Sequence, residues 1–369
     1  MGRPAAPLSR ELRAPRRADQ PPLALVTGGG GFLGRRIVEM LTGRGWRVRS
    51  LARGDYPELR ELGVDVRRAD LADAPKVIEA AAGCDVAFHV AARAGLAGRY
   101  ADYHAANVVG TRNVIRACRE TGVRRLVFTS SPSVVFDGRD QQGIDESAPY
   151  PSRGRSHYST TKAIAERDVI AANESPVSGG GVLHTLALRP HLVWGPRDNH
   201  IVPRLLARAR AGQLRLVGDG RNLIDTTYID NAAAAHLLAA DALVANPAAR
   251  GRAFFISNGD PRPAAEMIGA ILAAGGLAPV TRRVSPRVAW LIGLALEGAH
   301  AALGLKDEPR MTRFLAEELA TAHWFSIEAA RRELGYAPAV SIEEGLRRLG
   351  RWLSESDPAR GGNVGHATL

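Results

Sequence analysis

A glycine-rich segment near the start of the chain constrains the fold more than any other feature. The short apolar run Leu23–Val26 leads into TGGGGFLG, and the helical pattern RRIVEMLTGRG follows. In such a strand–turn–helix unit, the first glycine permits a tight turn. The second lets the backbone approach a pyrophosphate, and the third lets the helix pack on the strand. Gly28, Gly31 and Gly34 occupy these positions. Taken alone, the segment also fits a merely flexible turn.

Strand-like and helix-like segments keep alternating after this loop. The strand-like segments are WRVRSLAR, VDVRRADL, CDVAFHVAA, RRLVFTSS and HTLALRPHLVWGP, and helical patterns such as Ala74–Ala82 and Asn107–Thr121 separate them. This βαβ series predicts an α/β fold of Rossmann type, a doubly wound parallel sheet with helices on both faces. The glycine loop then opens the first helix, where a dinucleotide pyrophosphate binds. A dinucleotide site is therefore the favoured interpretation.

The pattern also suggests how the chain is divided. We predict a flexible basic segment at 1–22, a dinucleotide-binding domain at 23–188 plus roughly 226–258, a smaller, mainly helical substrate-binding lobe at 189–225 plus 259–354, and a flexible tail at 355–369. The lobe would cap the carboxyl edge of the sheet, where ligands of such folds bind. The Gly/Ser-rich stretch 173–182 is predicted to be a surface loop.

Composition limits the compartment and the partners. The formal net charge of the 369 residues is +11, and a basic surface suits anionic ligands. There is no basic helix with interleaved aromatic residues and no metal-ligand spacing, so we expect neither nucleic acid nor a metal. Cys84 and Cys118 have no CxxC partner and are predicted to be buried reduced thiols. With no apolar run of a signal peptide, this predicts a cytoplasmic protein.

One apolar stretch, Val288–Leu305, approaches the length of a membrane span. Glu297 and His300 interrupt it, so we predict a helix packed on the core rather than a transmembrane segment. The alternative is an interfacial helix that contacts a membrane peripherally and helps an apolar substrate to enter.

The end of the second strand indicates which dinucleotide binds. Sites specific for NAD usually place a carboxylate there to bind the ribose 2′-hydroxyl. This chain has Ala52 followed by Arg53, and a guanidinium suits a 2′-phosphate. NADP(H) is therefore predicted over NAD(H), with Arg35 as a second cation, although Asp55 lies close by. Asp70, after the third strand, either contacts the adenine or caps the following helix.

Tyr158 and Lys162 are the candidate catalytic pair. They lie four residues apart in the helical segment SHYSTTKAIAERDVI, so they share one helix face. Lysine is rare in this chain, which contains only Lys76, Lys162 and Lys306. An ammonium beside the phenol should lower the tyrosine pKa from its reference of about 10 and so make a usable acid near neutral pH. An isolated YxxxK pattern is more often an ordinary surface pair, and the surrounding motifs argue against that here.

From about Leu23 to Leu353, the chain resembles the extended short-chain dehydrogenases/reductases. The resemblance rests on the glycine loop, residues 107–111, 129–131 and 188–190, and the Tyr158–Lys162 pair. It implies that Tyr158 is the acid/base, that Lys162 binds the nicotinamide ribose and that Ser131 binds the substrate oxygen. It also implies that Asn107 places the lysine. Further cofactor contacts are implied at Phe32, Leu33, Leu71, Ala91 and Pro190.

Within that superfamily, the chain resembles the 3β-hydroxysteroid dehydrogenase branch, and within it the bacterial 2-alkyl-3-oxoalkanoate reductases of olefin and β-lactone biosynthesis. The resemblance is carried by WGPRDNHIVPRLLARARAG and VGDGRNLIDTTYIDNAA, among other segments. It implies a long-chain β-keto or β-hydroxy acid as substrate, a homodimer and association with other enzymes of the olefin pathway. The alternatives are a 3β-hydroxysteroid or sterol-4-carboxylate dehydrogenase and, outside catalysis, an NADP-sensing regulator.

A β-keto acid would benefit from a fixed cation at its carboxylate. Arg197, Arg221 and His191 are candidates by position, although each fits a structural ion pair better. Trp290, with the apolar stretch around it, is a candidate wall of an acyl tunnel. His89 is predicted to be a satisfied core residue with no more than a cofactor contact, and His157 has no predicted catalytic role.

Overall fold

The computed structural model describes residues 20–95, 98–303, 305 and 309–356. Most of the predicted segment 1–22 and nearly all of the predicted tail 355–369 therefore lie outside the described residues. The strands in the described part are β1 (Leu23–Thr27), β2 (Arg47–Ala52), β3 (Asp65–Arg68), β4 (Val86–His89), β5 (Arg125–Thr129), β6 (Gln141–Ile144), β7 (Ser175–Pro176), β8 (Val182–Pro190), β9 (Val193–Trp194), β10 (Leu216–Val217), β11 (Leu223–Ile224), β12 (Thr227–Tyr228), β13 (Arg252–Ile256), β14 (Arg262–Pro263), β15 (Arg283–Val284) and β16 (His323–Phe325).

The helices complete the set of elements. They are α1 (Phe32–Gly43), α2 (Pro57–Glu61), α3 (Ala74–Ala81), α4 (Tyr100–Tyr103), α5 (Gly110–Thr121), α6 (His157–Ala171), α7 (Ile201–Arg210), α8 (Ile229–Ala245), α9 (Ala264–Ala274), α10 (Pro286–Leu303), α11 (Arg313–Ala320), α12 (Glu328–Leu334) and α13 (Ile342–Ser356). A π-helix at His104–Val109 joins α4 to α5. The sequence predicted one helix over 107–121 and not this wider turn.

Seven parallel strands form the main sheet in the order β13-β8-β5-β4-β1-β2-β3, and β7 pairs antiparallel with β8. Because helices cover both faces of a parallel sheet, its central strands can be apolar throughout. The strand β1 is accordingly buried at all five positions. The predicted Rossmann-type architecture is confirmed.

Apolar side chains of the helices build a core on each face of the sheet. On one face, Ile37 and Val38 of α1 pack with Leu243 of α8. On the other, Val114 of α5 packs with Val169 of α6. Full burial of an aliphatic side chain contributes about 1.5–3 kcal/mol, so these cores hold the helices that carry the site against the sheet.

The chain leaves the main sheet after β8 and returns to it for β13. The intervening segments and the C-terminal helices share a third core, in which Trp194, Leu206, Met267, Ile271 and Leu349 are buried. The division into two domains stays a prediction. The stretch 173–182 forms a tight hairpin between β7 and β8, in which Gly179, Gly180 and Gly181 have positive φ.

The helix α10 differs from a packed core helix. Val288, Leu291, Ile292 and Leu294 are each more than 40% exposed. Among the described residues, no helix has both the length and the apolar character needed to cross a bilayer. The predicted alternative of an interfacial helix therefore has an exposed apolar face to support it.

Candidate active site

The glycine loop forms a sharp turn at the carboxyl edge of β1. Gly28 has a φ of 71°, and its N–H donates to the Leu51 carbonyl oxygen at 2.8 Å. A Cβ at Gly28 would lie 2.9 Å from the Ala91 Cα, and one at Gly34 would lie 2.1 Å from the Gly28 carbonyl oxygen. Neither position has room for a side chain, so the glycines are required by both conformation and space.

The helix that follows the loop has an uncapped N-terminus. Gly31 is the N-cap residue and offers no side-chain hydrogen bond, and the first turn, which begins with Phe32 and Leu33, contains no acidic residue. The first-turn amides of a helix carry partial positive charge and bind anions well. The residues present therefore fit the pyrophosphate of a dinucleotide.

The end of β2 leaves Arg53 as the group best placed for a 2′-phosphate. Arg53 is exposed and follows Ala52, the last residue of the strand. The nearest carboxylate to the end of β2 is that of Asp55, and it forms an ion pair with Arg60 at 2.5 Å. The Arg35 guanidinium lies 3.2 Å from Glu39 and 3.5 Å from Glu58, which offset its charge, and its contact with a 2′-phosphate stays a prediction.

The remaining predicted cofactor contacts lie along the same edge. The Asp70 carboxylate accepts from the Ala72 N–H at 2.9 Å and so stabilises the turn before α3, whose N-cap is Asp73. The Leu71 carbonyl oxygen accepts from Asn113 at 2.8 Å. Pro190 is buried at the end of β8. Asp70 thus has a structural use, and a contact with adenine stays a prediction.

Tyr158 lies in the first turn of α6, which a capping box between Ser156 and Ser159 fixes. Burial raises the pKa of Tyr158 to about 12, an effect that hydrogen bonding to the Ser131 side chain opposes and that the charge of Glu318 reinforces. Ser131 follows β5, and its Oγ lies 3.0 Å from Ser133 Oγ. The structure thus brings together Tyr158 and the predicted Ser131.

The expectation that Lys162 lowers the tyrosine pKa is wrong for this structure. The Lys162 Nζ donates to the Thr129 carbonyl oxygen at 2.5 Å and lies 4.0 Å from the centre of the Phe128 ring. Lys162 is 2% exposed, and burial lowers its pKa to about 7, partly offset by Glu166. The lysine amine is directed at the Thr129 carbonyl oxygen and is largely desolvated. Burial of the phenol, rather than the charge of Lys162, therefore dominates the pKa of Tyr158.

Asn107 lies in the π-helix, an element that often marks a functional position. Its Oδ1 accepts from the Arg93 N–H at 2.7 Å, and its Nδ2 donates to the Arg93 carbonyl oxygen at 3.1 Å and to Thr161 Oγ1 at 3.0 Å. Asn107 therefore fastens the segment after β4 to α6, one residue before Lys162. It can position the lysine through the helix rather than by contact.

A buried ion pair behind the catalytic helix was not predicted from the sequence. Arg189 of β8 lies 2.6 Å from Glu166 of α6, and the Tyr150 hydroxyl donates to Glu166, also at 2.6 Å. Arg189 and Glu166 are almost fully buried. The pair joins residues 188–190 to the Tyr158–Lys162 helix, a link that two separate motifs in the sequence could not reveal.

His89 is satisfied within the core, in agreement with the sequence. Its Nδ1 lies 2.8 Å from Thr27 Oγ1 and its Nε2 lies 2.9 Å from Thr111 Oγ1. Burial lowers its pKa to about 3, so it is neutral.

Cys84 and Cys118 are buried and free, as predicted. The described residues contain no group of three side chains suited to a metal ion.

A large apolar cavity of about 740 Å³ is lined mainly by residues of the helices α7, α9, α10 and α11. Its apolar lining includes Leu192, Leu205, Met267, Ile271, Ile292 and Leu296. Arg204, Arg208, Arg310 and Glu318 also line it. The helix α10, which was predicted to form a tunnel wall, does contribute lining residues, but Trp290 is not one of them. Its Nε1 instead donates to Glu317 at 3.3 Å.

None of the three cations predicted for the substrate carboxylate lines this cavity. Arg197 pairs with Glu39 at 2.7 Å, and His191 Nδ1 lies 2.6 Å from Asp225. Arg221 is 89% exposed beside Asp219. Arg197 and His191 therefore have the structural partners expected as the alternative, whereas Arg221 is exposed, and the cavity presents different polar groups.

A tyrosine hydroxyl hydrogen-bonded to a serine, in a fold that also has a glycine turn shaped for a dinucleotide, is typical of a nicotinamide-dependent oxidoreductase. The protein is an enzyme of the short-chain dehydrogenase/reductase class. The family model described as 3-beta hydroxysteroid dehydrogenase/isomerase matches residues 25–281, and the chain belongs to that family.

Similar proteins refine this assignment. The chain is 52% identical over 328 residues to the 2-alkyl-3-oxoalkanoate reductase of Stenotrophomonas maltophilia, covering 88% of this chain and 97% of the relative. The enzyme of the same name from Shewanella oneidensis is 50% identical, with 88% and 85% covered. The human sterol-4-alpha-carboxylate 3-dehydrogenase is 33% identical, with 88% and 86% covered.

A solved structure shares the fold over nearly its whole length. It is the UDP-glucose 4-epimerase of Thermus thermophilus in complex with NAD, which is 26% identical with a TM-score of 0.68. The match covers 91% of this chain and 100% of the epimerase chain.

Proposed function

We propose that the protein uses NADPH to reduce the 3-keto group of a long-chain 2-alkyl-3-oxoalkanoic acid to the 2-alkyl-3-hydroxyalkanoate, as a step in olefin or β-lactone hydrocarbon biosynthesis. The observation that carries the proposal is the apolar cavity of about 740 Å³, one of whose lining residues, Glu318, acts electrostatically on Tyr158. A substrate with two alkyl chains needs such a volume next to the reacting carbonyl. The names of the two bacterial relatives support the same substrate class.

The protonation state of Tyr158 suits reduction. Because burial raises its pKa to about 12, the phenol keeps its proton at neutral pH and can donate it to the developing alkoxide. Ser131 and Tyr158 together stabilise the negative charge on that oxygen. The reverse oxidation needs the phenolate, so we expect it to become faster as the pH rises.

Lys162 and Asn107 orient the site rather than donate the proton. With its Nζ on the Thr129 carbonyl oxygen, Lys162 lies at the end of β5, where a cofactor ribose hydroxyl could replace that partner. The nicotinamide cofactor, when bound, supplies the hydride. The absence of a carboxylate at Ala52 and the exposed Arg53 support NADPH as the form bound.

A sterol-4-carboxylate dehydrogenase is the second candidate, because the human relative carries that name and its substrate also has a carboxylate beside the reacting carbon. An NADPH-oxidation assay separates the two. We expect a long-chain 2-alkyl-3-oxoalkanoic acid to give a much larger kcat/KM than a steroid ketone or a sterol 4-carboxylate. Mass spectrometry should then identify the 2-alkyl-3-hydroxyalkanoate. A preference for the sterol would overturn the proposal.

Two further predictions come from the family resemblance. One is a homodimer with α6 in its interface, and the other is association with enzymes of the olefin pathway. Light scattering of the purified protein tests the first, and co-purification with the neighbouring pathway enzymes tests the second.

A further inference from the structure

Glu318 is an acidic residue in an apolar cavity. It lies on α11, lines the cavity and is only partly exposed. Its carboxyl group receives no hydrogen bond or ion pair from any described residue, whereas the adjacent Glu317 accepts from Arg155 at 3.1 Å and from Trp290 at 3.3 Å. A carboxyl group without a partner in such a place is costly to ionise.

Burial, rather than any neighbouring charge, favours the neutral form of Glu318. Desolvation alone raises its pKa to about 8. From α6, Tyr158 lies close enough for the charge of Glu318 to raise the tyrosine pKa. From β16, His323 donates through Nε2 to the Glu318 carbonyl oxygen, and burial lowers the pKa of this histidine to about 4. The other charged or titratable residues lining the cavity are His200, Arg204, Arg208, Arg215 and Arg310. At neutral pH, Glu318 is therefore mainly a carboxylic acid with one proton to donate.

The chemistry of a β-keto acid places its carboxylate near this group. Only one carbon separates the carboxylate from the carbonyl carbon, so a substrate whose 3-oxygen contacts Tyr158 must hold its carboxylate close to that hydroxyl. The described groups that shift the Tyr158 pKa are Ser131, Glu318 and Tyr103, and none of them is a cation. Among these three, Glu318 is the one that lines the cavity.

We propose that Glu318, in its neutral form, donates a hydrogen bond to the substrate carboxylate and thereby selects β-keto and β-hydroxy acids over their uncharged analogues. This inference rests on the proposed function and adds the residue that recognises the acid group. A buried carboxylic acid kept neutral in order to donate a hydrogen bond is an established way of stabilising an oxyanion. When Glu318 ionises, two carboxylates face each other and binding of the acid weakens.

The oxidation direction gives a clean test, because a 2-alkyl-3-hydroxyalkanoic acid does not lose CO₂. We would measure kcat/KM with NADP⁺ for this acid and for its methyl ester between pH 6.5 and 9.5, and take the ratio of acid to ester. Effects of Tyr158 ionisation act on both substrates and cancel in the ratio. The variants are Glu318→Gln, Glu318→Leu and, as a matched control, Glu317→Gln.

In the wild-type enzyme, the ratio should fall about tenfold per pH unit above pH ~8. In Glu318→Gln, whose amide still donates, it should stay near the neutral-pH value throughout. In Glu318→Leu, it should be lower by about 10- to 100-fold at pH 7, the usual effect of losing a hydrogen bond to a charged group. Glu317→Gln should behave like the wild type.

Two results would overturn the inference while leaving the proposed function intact. One is an equal loss on acid and ester in Glu318→Leu, and the other is an alkaline fall that persists in Glu318→Gln. Should Glu318→Leu fail to fold, the pH profile of Glu318→Gln still decides. If the wild-type enzyme turned over neither the hydroxy acid nor the keto acid, the proposed function itself would be wrong.

Discussion

The Nζ atom of Lys162 lies 2.5 Å from the carbonyl oxygen of Thr129. This contact joins the catalytic helix α6 to the end of β5, two residues before Ser131. It keeps the amine buried on the Thr129 carbonyl oxygen, and the pKa of Tyr158 is raised rather than lowered. Lys162 therefore lies fixed at the end of β5, and Tyr158 stays protonated at neutral pH.

Replacing Lys162 with methionine should reduce kcat by roughly 10²-fold, the usual cost of mispositioned reacting groups, and should stabilise the fold at neutral pH. Burial lowers the lysine pKa from 10.5 to about 7, so between these values the unfolded chain binds more protons than the folded one. The free energy of unfolding contributed by this group thus rises with pH across that window. Urea unfolding of both proteins at pH 7 and pH 10 measures the effect. A wild-type advantage at pH 7 would contradict it.

Breaking the ion pair between Arg189 and Glu166 should be strongly destabilising. Arg189→Met leaves a buried carboxylate without its cation, which typically costs about 3–5 kcal/mol. The double variant Arg189→Met/Glu166→Met should recover much of that loss, since no buried charge remains. Denaturant midpoints of the two single variants and the double variant give the coupling energy. Additive losses would show that the pair does not act as a unit.

Asn107→Ala should weaken both the fold and catalysis. It removes three hydrogen bonds and leaves the Arg93 main chain unpaired, with an expected loss of about 1–3 kcal/mol for each buried group left without a partner. If Asn107 acts by placing α6, kcat should fall while the KM of the cofactor changes little. Asn107→Asp keeps the acceptor for the Arg93 N–H and should retain more activity. Equal loss in the two variants would argue against this role.

Ala52→Asp should shift cofactor preference toward NADH. A carboxylate at the end of β2 binds ribose hydroxyls and repels a 2′-phosphate. Arg53→Ala is the companion variant and should weaken NADPH binding selectively. The ratio of kcat/KM for NADPH to that for NADH is the measurement, and an unchanged ratio in both variants would reject the assignment of this strand end.

Much of the fold was predictable because its signals are local. The glycine loop and the alternating apolar segments each lie within a few residues, and the right-handed rule for βαβ units gives the hand of each crossover. Tyr158 and Lys162 were identifiable because four residues make one helical turn. The π-helix around Asn107 was not, because its sequence is also compatible with an ordinary α-helix.

The parts of the site that were missed depend on distant segments. Glu318 lies 160 residues beyond Tyr158, and only the tertiary fold brings its charge near enough to affect the tyrosine pKa. Arg197, Arg221 and His191 were proposed because they lie in loops near the expected nicotinamide end. The sequence does not show side-chain direction, and the structure pairs Arg197 and His191 with carboxylates elsewhere.

The most direct test of the central claim is single-turnover reduction of a long-chain 2-alkyl-3-oxoalkanoic acid by Tyr158→Phe, with NADPH binding titrated in the same preparation. The account predicts NADPH affinity close to that of the wild type and a rate lower by about 10²- to 10⁴-fold, because only the proton donor is lost. A variant that binds NADPH and still reduces the acid within a few-fold of the wild-type rate would contradict it.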